Sequence, residues 1–238
     1  MRRLSIIGAL LPLFINSCGQ RLPMKTTLIP KAFGTQIAEQ GGGKQAAGVG
    51  ARLMDLVVVQ VNGADGNGVA GALVEFHGNG VTCNPAQVLT DDTGQASTVV
   101  QLGTVPGSYF VVAETPKSGG EAAKLNLREI ALGYQEKVGK EVSEKYCLTC
   151  HDPESTAEHV SNFDNLTPPA PHLFSDGGVL NAMSDADLIK IIADGGPALG
   201  KSPQTPAYRH TLTPAEIRAV VAYMRAISDP PYAAPASK

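Results

Sequence analysis

A chain of 238 residues with 43% hydrophobic content is long enough for two domains of ordinary size and too apolar to be largely disordered. Its formal charge of −3 provides no basic surface of the kind nucleic acid requires, so no nucleic-acid partner is expected. With 26 glycines and 17 prolines it should be rich in turns, and its four cysteines (Cys18, Cys83, Cys147 and Cys150) are too few and too uneven for a disulfide scaffold.

At the N-terminus, Arg2 and Arg3 precede an apolar run from Leu4 to Ile15, interrupted by Ser5, Gly8 and Pro12. A basic start before a short apolar run reads as a secretory signal over residues 1–17, too short for a permanent membrane span. Ile15-Asn16-Ser17-Cys18 resembles a bacterial lipobox, with a branched residue three positions before the cysteine and a small one directly before it. Asn16 departs from the usual choice between them. The resemblance implies that Cys18 becomes the lipidated first residue of the mature protein and anchors it to a membrane. The competing reading is a cysteine beside an ordinary cleavage site. Gly19 after the cysteine resembles lipoproteins sorted to the outer membrane, so the expectation is an exported, periplasmic or cell-surface lipoprotein with the outer membrane favoured. Residues 18–35 read as a tether: from Gly19 to Gly34 they carry Arg21, Lys25 and Lys31 and no acid, a charge suited to an anionic surface.

From Gln36 to Arg128 the apolar period is two. Ala72, Val74 and Phe76 alternate with Leu73, Glu75 and His77; Ala96, Thr98, Val100 and Leu102 alternate with Ser97, Val99 and Gln101. Ala123, Leu125 and Leu127 alternate with Lys124, Asn126 and Arg128. Each pattern is one core-facing and one outward-facing set. Turns are expected at residues 62–68, at Asp91-Asp92-Thr93-Gly94 and at Pro106-Gly107, and this spacing predicts an antiparallel sandwich.

The segment resembles bacterial Ig-like domains of the invasin and intimin type. The resemblance rests on Gly48-Val49-Gly50, the run Asp65 to Phe76, Thr90-Asp91-Asp92-Thr93-Gly94-Gln95-Ala96, and Leu102-Gly103 followed by Pro106-Gly107. It implies a spacer or adhesive module without catalytic residues. His77, Asp65, Asp91 and Asp92 are read as surface and turn residues, not as a metal site. Cys83 falls in an expected loop, Asn79 to Pro85, and is either a buried thiol or an exposed one able to dimerise the chain; burial is the simpler reading.

After Arg128 the period changes. Tyr134 to Tyr146 is rich in Lys and Glu, with Val138 and Val142 four apart, and predicts a helix. It runs into Cys147-Leu148-Thr149-Cys150-His151, the C-x-x-C-H string of covalent haem attachment. Two thiols on one turn can add to the two vinyl groups of one porphyrin, and the adjacent histidine is placed to bind its iron. A redox dithiol would call for a preceding strand, and a zinc ribbon for a second cysteine pair; neither is visible.

Tyr134 to Ser228 resembles small single-haem cytochrome c domains. Gly139-Lys140 stands eight positions before Cys147, where the resemblance implies that the first helix passes close to the last and that Tyr223 packs on Gly139. Pro171-His172-Leu173 resembles the segment lining the proximal haem face, although Pro168 or Pro169 replaces the family's glycine. Ser184 begins a capped helix, and Thr213-Pro214-Ala215-Glu216 is a capping box opening a last helix with the apolar stripe Ile217, Val220, Val221, Met224 and Ile227.

The sixth ligand departs from the pattern. After Gly196 to Ser202 the family continues with Met-Pro-x-aromatic, whereas this chain has Thr205-Pro206-Ala207-Tyr208. His210 is a candidate distal ligand; Met183 and Met224 read as packing residues, and His159 and His172 lie elsewhere along the chain path. The leading expectation is an iron with no strong sixth protein ligand.

The expected fold class is therefore an all-β Ig-like sandwich (36–128) followed by an all-α cytochrome c-type haem domain (133–230) and a flexible tail (231–238). The expected cofactor is one covalent haem c, held by Cys147, Cys150 and His151. The expected function is electron transfer rather than catalysis. Small-ligand binding or weak peroxidatic activity at an open iron is the alternative, with His210 as the available acid–base residue, and adhesion with a secondary haem is a third reading. Residues 133–230 carry eight Lys/Arg and thirteen Asp/Glu, a net −5 that would suit a positively charged redox partner.

Overall fold

The computed structural model describes residues 28–151 and 171–234. The signal segment, Cys18, the tether as far as residue 27, His159, Pro168, Pro169 and residues 235–238 lie outside the described residues.

Among the described residues, nine strands build the N-terminal half: β1 (Gln36–Gly41), β2 (Ala46–Gly48), β3 (Val57–Asn62), β4 (Leu73–His77), β5 (Thr82–Asn84), β6 (Gln87–Leu89), β7 (Gln95–Gln101), β8 (Gly107–Pro116) and β9 (Ala122–Leu132). They form two sheets, ordered β1-β3-β7-β5 and β2-β9-β8-β4-β6. Pairing is antiparallel except where β2 runs parallel to the end of β9. This is an Ig-like sandwich. Val57, Val59 and Val61 from one sheet pack with Val74, Phe76, Val111 and Leu127 from the other in one core. Each such side chain contributes roughly 1.5–3 kcal/mol by leaving water. The turn aspartates serve the local backbone: Asp65 accepts from the Asn67 amide at 3.1 Å, and Asp91 accepts from Thr93 and Gln95 at 2.8 and 2.9 Å.

Cys83 lies on β5, not in a loop, because its backbone pairs with Val100 of β7. Its side chain is half-buried against the sandwich core, and that burial pushes the thiol pKa up.

The strand β9 continues past Arg128, and its end loses the alternation of its start: Glu129, Ile130, Ala131 and Leu132 are all buried. Two cores cover its two faces. Leu127 and Ala131 belong to the sandwich core, while Ile130 and Leu132 belong to the core of the helical half. A single residue, Gly133, then separates β9 from the first helix.

Among the described residues the helical half contains α1 (Tyr134–Tyr146), α2 (Gly177–Leu180), α3 (Asp185–Asp194), a 3-10 turn (Gly196–Leu199) and α4 (Pro214–Ile227). Ser184 caps α3 by accepting from the Asp187 amide at 3.1 Å. Thr213 and Glu216 form the expected reciprocal box at the start of α4, with bonds of 3.2 and 2.8 Å. The stripe Ile217, Val220, Val221, Met224 and Ile227 is buried against α1 and α3. The helices α1 and α4 cross at Gly139, where a Cβ would stand 1.9 Å from the Ala219 carbonyl oxygen and 2.9 Å from Tyr223 Cβ. Only glycine permits that approach. Among the described residues no helix is long and apolar enough to cross a membrane.

Candidate haem site

The close crossing fixes α1, and the end of α1 delivers the cysteine turn. The amides of Cys147 and Leu148 both donate to the Ser143 carbonyl, at 2.8 and 3.0 Å. The amides of Cys150 and His151 then donate to the Cys147 carbonyl at 2.9 and 2.8 Å. One tight turn thereby gathers two thiols and an imidazole. Cys147 is buried, Cys150 is exposed, and neither is in a disulfide. Burial, helped by the neighbouring Cys150, pushes the Cys147 thiol up to about 11, so it stays protonated at neutral pH.

His151 is oriented from outside the turn. Its Nδ1 lies 2.6 Å from the backbone oxygen of His172. A carbonyl only accepts, so Nδ1 carries the hydrogen and Nε2 keeps the lone pair that can bind a metal. Burial lowers the His151 pKa, with the bond to the His172 carbonyl pulling the other way, and the ring stays neutral near pH 7. The buried Phe174 ring packs on it with centroids 5.1 Å apart. The His172 side chain itself is exposed and faces Asp176 at 3.2 Å. Asp176 in turn caps α2 by accepting from the Val179 amide at 3.2 Å.

The loop from Gly196 to Leu212 is closed by its own backbone. The Gly196 amide donates to the Thr205 carbonyl at 3.1 Å, and Lys201 donates back to Gly196 at 2.9 Å. A Cβ on Gly196 would meet the Ser202 carbonyl oxygen at 1.9 Å, so the loop draws tight there. Tyr208 ties the loop to the rest of the site: its amide donates to Ile192 at 3.0 Å and its hydroxyl to the Tyr146 carbonyl at 2.9 Å, next to Cys147. Burial raises the Tyr208 pKa, with smaller contributions from Cys147 and Cys150.

The structure thus brings Cys147, Cys150 and His151 together and adds Phe174 and Tyr208, to which the sequence reading gave no role at the haem. The aromatic in Thr205-Pro206-Ala207-Tyr208 was the available signal. Thr205 is half-buried within the closed loop, and His210 is exposed on the turn before α4. Met224 is buried in the helical core, and Met183 packs against that core.

These residues fit haem c. Two thiols share one turn with a neutral imidazole whose tautomer leaves Nε2 available, and a carbonyl holds the other ring nitrogen, as is usual for metal-binding histidines. Among the described residues no cluster of three or more His, Cys, Asp or Glu side chains converges on a site for a bare metal ion.

Residues 135–224 match the family model described as cytochrome C oxidase, cbb3-type, subunit III. The match spans α1 to α4 and makes the helical half a cytochrome c domain, a class that carries covalently bound haem c and transfers electrons. Among solved structures, the chain is similar to the D0-D1 domain of intimin at 24% identity, with a TM-score of 0.31, covering 42% of this chain and 48% of that one. It is also similar to the Yersinia pseudotuberculosis adhesin InvE, at 12% identity, TM-score 0.29, and 42% and 33% coverage. A third likeness is to PapD-like domain 7 of human CEP192, at 10% identity, TM-score 0.31, and 56% and 97% coverage. The chain spans about half the length of the intimin structure it matches. No curated protein matches the chain.

Proposed function

We propose that this protein is an exported, membrane-tethered c-type cytochrome that passes single electrons through one haem bound by Cys147, Cys150 and His151. Bound there, haem c supplies a one-electron iron couple. The chain's own residues do the rest. Cys147 and Cys150 would supply the two thiols that hold the group, and His151 would offer it a neutral Nε2. The His172 carbonyl keeps the Nδ1 hydrogen in place, and Phe174 holds the ring angle. The bond between His151 Nδ1 and the His172 carbonyl, made by residues 21 positions apart, is the observation that carries this reading. The single C-x-x-C-H string supports one haem.

The experiment is expression with haem-maturation factors, followed by a pyridine haemochrome spectrum and an intact mass. One thioether-linked haem per chain is expected; no covalent haem overturns the reading.

Export and anchoring rest on Arg2, Arg3, the apolar run and Cys18. A Cys18→Ala variant should leave the membrane fraction, and one that stays there contradicts the lipid anchor. A cationic partner is supported by the net −5 of residues 133–230, and electron exchange with such a partner should slow as salt rises.

A second reading, small-ligand binding at the iron, is favoured by Thr205. It stands in the methionine position, and its carbonyl is already held by the Gly196 amide. Carbon monoxide binding by the reduced protein supports this reading. Failure to bind CO, with a low-spin spectrum in both oxidation states, removes it.

A further inference from the structure

A chain of hydrogen bonds connects the sandwich to the haem site. Arg128, on β9, points its guanidinium at the end of α4. Its Nη1 donates to the Ser228 carbonyl at 2.8 Å and its Nη2 to the Ala226 carbonyl at 3.1 Å. These are carbonyls that the end of a helix leaves without helical partners, and a cation there also meets the negative end of the helix dipole. On the sandwich side, Arg128 Nε donates to Ser108 Oγ of β8 at 3.0 Å, which fixes the guanidinium from behind. Lys44, from the connection between β1 and β2, adds an ion pair to Asp229 at 3.0 Å. Ser228 is buried and the two Arg128 bonds to the helix end are partly buried, whereas the Lys44–Asp229 pair is half exposed.

The clamped residues hold the segment that orients His151. The Asp229 amide donates to the Ser175 carbonyl at 2.8 Å, and the Asp229 carbonyl accepts from the Gly177 amide at 3.1 Å. The Pro230 carbonyl accepts from Asn181 Nδ2 at 2.9 Å. A Cβ on Gly177 would meet the Pro230 carbonyl oxygen at 2.3 Å, so the two segments lie flush. Three residues before Ser175 is His172, whose carbonyl accepts from His151 Nδ1. The apolar side of the junction agrees, because Ile130 and Leu132 of β9 are buried in the helical core.

We infer that Arg128 and Lys44 are positioning residues for the proximal histidine, and that the sandwich is a structural part of the haem site rather than a passive spacer. The inference rests on the haem reading above. Its physical content is that Ser228, Asp229 and Pro230, pinned by the sandwich, set where residues 172–177 present their acceptor. A firm acceptor on Nδ1 makes the imidazole a more basic ligand and favours the oxidised iron; a loosened one favours the reduced iron.

The test uses the full-length, haem-loaded protein and the variants Arg128→Ala, Arg128→Lys and Lys44→Ala, with Arg52→Ala on an exposed part of the sandwich as control. Two quantities are read: the midpoint potential, and amide hydrogen exchange at Gly177 and Asp229. Arg128→Ala should shift the one-electron equilibrium about threefold toward the reduced form, roughly 30 mV upward. It should also speed exchange at both amides, with Arg128→Lys intermediate and Arg52→Ala unchanged. Parental potential and parental exchange in Arg128→Ala overturn the inference, as does an equal shift in Arg52→Ala. If Arg128→Ala does not fold, parental values in both Arg128→Lys and Lys44→Ala overturn it. Exchange in the haem-free chain reads the same linkage, so failure of the haem reading is distinguishable from failure of this one.

Discussion

His151 Nδ1 donates to the backbone oxygen of His172 across 2.6 Å, and this bond fixes the tautomer that leaves Nε2 as the free lone pair. On the proposed reading the two thiols and the imidazole would hold the haem by separate bonds. A His151→Ala protein should keep its haem through Cys147 and Cys150 but show a shifted ferric spectrum, which added imidazole reverses. An unchanged spectrum would show that His151 is not the proximal ligand.

Gly139 is the second point on which the site depends, because it sets the approach of α1 to α4. Gly139→Ala places a methyl group inside contact distance of the Ala219 carbonyl. Overpacking of this kind costs about 1–3 kcal/mol, and more where backbone must move. The denaturant midpoint should fall accordingly, and a midpoint equal to the parent's would mean the helices can separate at no cost.

Tyr208 tests whether the loop after Gly196 is held to the cysteine turn. Tyr208→Phe keeps the ring against Tyr146 but removes the 2.9 Å bond to the Tyr146 carbonyl. The expected loss is about 1 kcal/mol of stability, with faster hydrogen exchange in the loop. Identical exchange in the two proteins would show that the hydroxyl is idle.

Glu216 gives the last helix a pH dependence. Its bonds from the Thr213 amide and hydroxyl lower its pKa in the folded chain. The folded state thus binds fewer protons than the unfolded one around and below pH ~4.3, and this stabilising contribution is present above that pH and lost as acid protonates the folded carboxylate. Glu216→Gln should flatten the acid limb of the thermal-unfolding profile, measured against the parent. Superimposable profiles would contradict the box.

Much of this architecture was legible as period and punctuation. Val74, Phe76, Val100 and Leu127 announced core-facing strand positions by alternation, and Thr213-Pro214-Ala215-Glu216 announced a helix start. The C-x-x-C-H string is local, so the cysteine turn was readable for the same reason. What stayed hidden is non-local. Residues 129–132 lack alternation because a different core covers each face of the strand, a fact no single strand can signal. Arg128 read as an outward strand residue, since its partners Ala226 and Ser228 are about a hundred positions away. Cys83 read as a loop residue because a three-residue edge strand is too short to show a period. Tyr208 shows only that an aromatic follows a proline; its bond to Tyr146 joins residues 62 positions apart.

Cys147 and Cys150 are proposed to hold the haem covalently, with His151 beside them as its ligand. The most direct measurement is haem retained by the full chain after denaturation and acidic acetone extraction, compared with the double variant Cys147→Ala/Cys150→Ala. The prediction is one haem per parental chain and none in the double variant. Haem extracted completely from the parent, or retained equally by both proteins, would contradict it.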